Sequence, residues 1–198
     1  MMIITSTYRI FECLAILCLT MLQLSQTLIG RPVMSLRTGT AVATTISAIF
    51  NPNNLKIEGF YVQDSFDSKK KLILLCQDIR EIIPQGIVIN DHEVLGESDE
   101  LVRLKEVLEI GFELVGMPVQ TESKSKLGKV NDYATDTSSM FVQKIYVSQS
   151  IMKSFSGGAL SIDRSQIVEI SSSKIIVKDL QQPLRAKLGS SISSALAS

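Results

Sequence analysis

The single histidine of the chain, His92, stands in Asn90-Asp91-His92-Glu93, between two acids, where an imidazole could act as a general base or a metal ligand. A transition-metal site needs further nitrogen or sulfur donors. The chain offers no second histidine and no CxxC pair, and carboxylates alone would suit only a hard ion. No Gly-x-Ser-x-Gly elbow accompanies His92, so a Ser-His-Asp hydrolase has little to stand on and the residue reads as a solvated loop histidine. Cys76 ends the apolar run Leu72-Ile73-Leu74-Leu75 and reads as a small buried hydrophobe rather than a nucleophile. Asp163-Arg164 and Asp78 with Arg80 set acid beside base, a pattern commoner in wall salt bridges than in general acid-base pairs. Neither a Walker sequence nor Gly-x-Gly-x-x-Gly is present to cradle a nucleotide. No catalytic, cofactor-binding or metal-binding residue is therefore assigned and no cofactor is expected.

Charge and composition narrow the alternatives. Twenty basic and twenty acidic residues cancel, so the whole-molecule field draws in neither nucleic acid nor anionic lipid. The runs Lys69-Lys70-Lys71 and Lys124, Lys126, Lys129 sit beside predicted turns and read as solvated lysines. Aromatics make up 6% of the chain and tryptophan is absent, which leaves few platforms for stacking single-stranded bases. Three cysteines without close pairing argue against a disulfide framework and fit a reducing compartment. With 198 residues, 45% of them hydrophobic, the chain can bury the core of one mid-sized domain or two small ones.

Residues 1–27 read as a leader. Ile10 to Leu24 is an apolar stretch of fifteen residues interrupted by Glu12, short for a membrane span of roughly 20 residues and of signal-peptide length. It lacks a basic cluster and a small-x-small cleavage site. Three readings stand: Met21 as the true start, which is preferred; an anchor or signal over 10–24; or a segment packed on the domain.

The elements that would carry any site emerge from self-similarity. Leu28-Ile29-Gly30-Arg31-Pro32-Val33 returns as Leu114-Val115-Gly116-Met117-Pro118-Val119, displaced by 86 positions. Gly59-Phe60-Tyr61-Val62 returns as Lys144-Ile145-Tyr146-Val147 at 85, and Ile79 to Ile82 with Ile87 to Asp91 as Ile167 to Ile170 with Ile175 to Asp179 at 88. Three matches in one order imply an internal duplication, with copies at 28–91 and 112–180. Each copy reads as short strands between turn signals: Thr38-Gly39 and Asn51-Pro52-Asn53-Asn54 in the first, Gly157-Gly158 and Ser171-Ser172-Ser173 in the second. The strands expected between them include Leu55 to Val62, Lys71 to Cys76, Phe141 to Val147 and Lys174 to Val177, with a first strand from Leu28. Pro32 and Pro118 are tolerable only on an edge or at a bulge, which suggests that the first strand begins at a barrel rim. Tyr61 and Tyr146, at equivalent positions, read as repeated wall packing. Strands so short are expected to close, giving a mainly β fold of two small barrels.

Between the copies, in a connector over 92–111, Ser98 as cap and Leu101, Leu104 and Leu108 at helical spacing predict one α-helix over about 98–109, ended by Gly111. Residues 181–198, rich in serine and alanine after Pro183, read as a flexible tail, although Leu184, Leu188, Ile192 and Leu196 recur every four residues and would suit a docking helix.

The second copy, with Leu114 to Val119, Leu127-Gly128-Lys129-Val130-Asn131-Asp132, Asp136 and the Ile167-to-Val177 ending, resembles the PRC-barrel family, which includes the cytoplasmic domain of the photosynthetic reaction centre H subunit and the C-terminal domain of the ribosome maturation factor RimM. The first copy departs from that pattern at Thr40-Ala41-Val42 and Asn51. Together the copies look like the tandem PRC-barrel proteins of bacteria. The resemblance implies a cytoplasmic, non-catalytic adaptor that binds a protein partner, ribosomal or RNA-processing; which residues bind it is unknown. The alternatives are a membrane-associated structural subunit anchored by residues 10–24, and a hydrolase hidden between the barrels around His92.

Overall fold

Two hairpin tips govern how the strands assemble. Ala41–Asn51 (β3) and Lys56–Asp64 (β4) turn through Asn51-Pro52-Asn53-Asn54, where the Asn51 side chain accepts the Asn53 backbone N–H at 3.1 Å. Lys126–Asp136 (β9) and Phe141–Ser148 (β10) turn the same way, with Asp136 accepting the Ser138 N–H at 3.0 Å. Each turn ends on a buried residue forced to positive φ, Leu55 at 52° and Met140 at 59°. The tips interlock: Ile57 N–H donates to Met140 O at 2.8 Å and Val142 N–H to Leu55 O at 3.0 Å. That exchange joins β4 to β10 and makes one continuous sheet of the chain.

The computed structural model describes residues 22–99, 101–148 and 160–179. The remaining strands are Leu22–Leu24 (β1), Pro32–Ser35 (β2), Lys71–Leu75 (β5), Ile79–Ile83 (β6), Gly86–Ile89 (β7), Pro118–Thr121 (β8), Leu160–Asp163 (β11), Ile167–Ile170 (β12) and Ile175–Val177 (β13). One α-helix, Lys105–Ile110 (α1), precedes β8. The protein is mainly β, as expected.

Pairings recur between the two halves. β2 pairs antiparallel with β3 and parallel with β7; β8 pairs antiparallel with β9 and parallel with β13. Even the irregularities repeat. Ile46 and Asn131, and Glu58 and Gln143, are the extra residues of corresponding β-bulges at a displacement of 85.

Closure into two barrels, expected from the shortness of the strands, does not occur. The main path runs β12-β13-β8-β9-β10-β4-β3-β2-β7-β6 and is open at both ends. The reason is local: the chain leaves β5 through the 3-10 turn Cys76–Asp78 and β11 through Arg164–Gln166, turning corners into β6 and β12 without a ladder between the flanking strands. Burial is instead shared across the halves, since Phe60, Leu55, Ile87, Leu114, Ile145 and Ile175 belong to one apolar cluster.

Other expectations need adjusting. Leu28 is a buried turn residue, and the first strand of its half begins at Pro32, as its counterpart begins at Pro118. Both prolines thus sit where a strand tolerates a missing donor. Leu22–Leu24, read as the end of a leader and possible anchor, pairs with β9 as a strand. The expected helix over 98–109 is shorter: a 3-10 turn at Val102–Leu104 leads into α1, and Gly111 at φ 57° ends it as predicted. Residues 1–21, the Gly157-Gly158 turn and the 181–198 tail lie outside the described residues. Among the described residues no helix is long and apolar enough to cross a membrane.

Candidate functional site

The residues singled out for chemistry are dispersed. His92 follows β7, with Nε2 3.2 Å from Asp64 Oδ1 at the end of β4 and its ring edge-on to Phe66. Burial pushes the Asp64 carboxyl up, but the Phe66 N–H and the His92 ring outweigh it and hold it below its ordinary value. The imidazole is 35% exposed and meets this one carboxylate. Its neighbours have other partners: Asp91 receives Ser35 Oγ at 2.8 Å and pairs with Arg37 at 3.0 Å. Cys76 donates to Ile57 O at 3.2 Å, and burial, with Glu58 nearby, pushes its thiol up to about 12, far from a nucleophilic thiolate.

Asp163 caps the 3-10 turn before β12 and pairs with Lys144 at 3.2 Å, while Arg164 lies over the Phe141 ring at 4.8 Å. Arg80 Nε donates to Asn90 Oδ1 at 2.7 Å. In the first lysine run, Lys70 pairs with Glu97 at 2.7 Å and Lys71 lies 5.0 Å from the Tyr61 ring centroid. Tyr61 and Tyr146 are both half-buried. No three His, Cys, Asp or Glu side chains gather into a metal site among the described residues.

A cavity of about 730 Å³ lies elsewhere, between β3, α1 and the segment 111–115. Five consecutive residues of β3, Ile46 to Phe50, line it. Successive side chains of a strand point to opposite faces, so five in a row reach one cavity only if it lies along the strand's backbone edge. β2 pairs with β3 from Ala41 to Thr44, and Thr45 exchanges backbone hydrogen bonds with Gly30 and Arg31. Beyond Thr45, β3 has a strand partner on one side only, β4, among the described residues.

The opposite wall is lined by Val107, Leu108, Val115 and the fully buried Leu114. Ile46, the bulge residue, is 37% exposed and Val115 50%. Deeper in, Phe50 meets Phe112 and Tyr133 edge-on at 6.5 and 5.1 Å, so the floor is built from both halves. Lys71 and Glu113 are the charged residues lining the groove. The groove is thus a largely apolar trough along a strand edge that has no strand partner among the described residues.

The sequence reading missed this groove. A signal was present: extending the 86-residue displacement outward sets Leu22-Gln23-Leu24 against Leu108-Glu109-Ile110, and these two segments flank the two equivalent sheet edges.

No protein-family model matches the chain, and no curated protein matches it in sequence.

Proposed function

We propose that the chain is a non-catalytic interaction module made of two diverged copies of one PRC-barrel-like unit, and that it works as an adaptor whose docking surface is the groove beside β3. The observation that carries this reading is the β3 edge left without a strand partner beyond Thr45 among the described residues, beside which Ile46 of β3 and Val115 across the groove stay exposed, because an unpaired edge is a template for an added strand. Recurrent pairings and bulges at the sequence displacement support the duplication. Dispersal of His92, Cys76 and the acid-base pairs supports a role without chemistry. The partner expected from the family resemblance is a protein of a ribosomal or RNA-processing assembly in the cytoplasm.

The test is quantitative affinity capture with the full chain, at low and high salt, comparing wild type with Ile46→Lys and His92→Ala. One defined protein partner retained by wild type and His92→Ala, and lost in Ile46→Lys, is the expected result. Capture indifferent to Ile46→Lys would remove the groove from the reading. A hydrolytic activity abolished by His92→Ala would replace the adaptor with an enzyme.

A further inference from the structure

The two halves treat one pair of equivalent edges differently. On the second half, Leu22–Leu24 lies antiparallel along the tip of β9, with Leu22 opposite Asp136, Gln23 opposite Thr135 and Leu24 opposite Ala134. The corresponding β3 residues, 85 positions earlier, are Asn51, Phe50 and Ile49. At the corresponding point of the sequence the chain forms α1 in place of a strand, and α1 lies across the groove from β3. A helix satisfies its own backbone groups internally and cannot extend a ladder, so α1 roofs the β3 edge without pairing with it. Between roof and edge lies the 730 Å³ groove.

We propose that this groove takes an extended peptide of a partner protein as an added antiparallel strand on β3, in the register that β1 adopts on β9. The proposal rests on the adaptor reading and names the chemistry of its partner. The backbone precedent is within the molecule, since β9 accepts such a strand at the equivalent three residues. The side-chain requirement comes from the wall opposite β3, where Val107, Leu108 and Val115 line the groove, together with the β3 bulge residue Ile46: they favour aliphatic residues at alternate positions, the spacing by which one face of a strand meets one wall. Neutral residues fit between them, because the groove offers one charge of each sign, Lys71 and Glu113, and no charged stripe. The peptide runs opposite to β3, entering beside Asn51 and leaving toward Ser47.

The probe is a synthetic nine-residue peptide alternating isoleucine and threonine with a lysine at each end, acetylated and amidated. Its control has the same composition rearranged to helical spacing. Both are titrated into the full-length, isotope-labelled chain while amide shifts and hydrogen exchange are followed. The alternating peptide is expected to shift and protect amides within 46–51. Backbone N-methylation at one alternate set of its residues should weaken binding at least about tenfold, while methylation of the other set is tolerated. Ile46→Lys and, independently, Val115→Lys should each weaken it by a similar factor.

Preferential binding of the helical control, protection at another edge, or no binding of the alternating peptide at millimolar concentration would overturn the proposal. The two readings fail separately. Partner capture lost in Ile46→Lys without peptide binding would sink strand addition and leave the adaptor standing. Peptide protection at 46–51 with capture indifferent to Ile46→Lys would do the reverse.

Discussion

The half around β3 and the half around β9 share one ladder but settle its volume and its edges by opposite means. Phe50 fills the interior from the first half, and its counterpart in the second is Thr135; Tyr133 fills it from the second, and its counterpart in the first is Ala48. Large faces small in both directions, and Phe50 and Tyr133 meet at 5.1 Å. A core shared across two halves is filled to one total volume, so a large side chain from one side is matched by a small one from the other. The edges differ likewise: β9 is completed by a strand and β3 is roofed by a helix. The lesson is that two halves with recurring strand pairings can finish the corresponding edges differently, one with a strand and the other under a helix.

Substitutions at paired positions sharpen the contrast. The largest effect is expected at Gly128, which stands at φ 146° and where an added Cβ would overlap the Ser148 carbonyl oxygen. Gly128→Ala should cost about 3 kcal/mol or more. Its counterpart already carries a methyl group, and Ala43→Gly should cost only about 1 kcal/mol, both measured by denaturant unfolding. Similar losses in the two variants would break the comparison.

Next come the core partners. Phe50→Ala removes two edge-on aromatic contacts and should cost about 3–5 kcal/mol. Thr135 is fully buried with its hydroxyl unpartnered, so Thr135→Val should stabilise by about 1 kcal/mol. Opposite signs at equivalent positions are the expected result, and a destabilising Thr135→Val would contradict it.

The hairpin tips should differ in pH response. Burial raises the Asp136 carboxyl, but the Ser139 and Ser138 hydroxyls and backbone N–H groups outweigh it and hold it below its ordinary value of 3.8. A carboxyl lowered in the folded state contributes stability that is complete above its unfolded value and is lost as pH falls through the folded one. Acid unfolding of wild type should therefore steepen below about pH 4. Asp136→Asn, which copies the neutral Asn51 tip, should flatten that limb while leaving neutral-pH unfolding cooperative. An unchanged acid limb would show that the tip does not matter.

The smallest stability effect belongs to the groove. Ile46→Lys is expected to change stability by less than about 1 kcal/mol, because the side chain is partly solvated at a bulge. It should nevertheless abolish capture of the partner, whereas Asn131→Lys at the equivalent bulge should leave capture intact.

The amino-acid pattern alone determined the mainly β character, the Asn51 hairpin turn, Gly111 as the helix stop and most strand positions. Those features depend on neighbours in the chain: β-branched runs, Asn and Pro in turns, and a glycine able to take positive φ. The recurrence of Leu-aliphatic-Gly-x-Pro-Val set both prolines at equivalent places, and the structure puts a strand start at each. The groove was only faintly legible, as an alignment of Leu22–Leu24 with the helix end that has no meaning until both are seen against sheet edges. Tertiary structure alone decided that the tips of β3/β4 and β9/β10 interlock, that the sheet stays open, that Phe50 and Tyr133 share a core, and that among the described residues β3 is roofed by a helix where β9 is paired with a strand. Each depends on contacts between residues some 85 positions apart, where pairing is chosen by the packing of the whole molecule and local spacing says nothing about it.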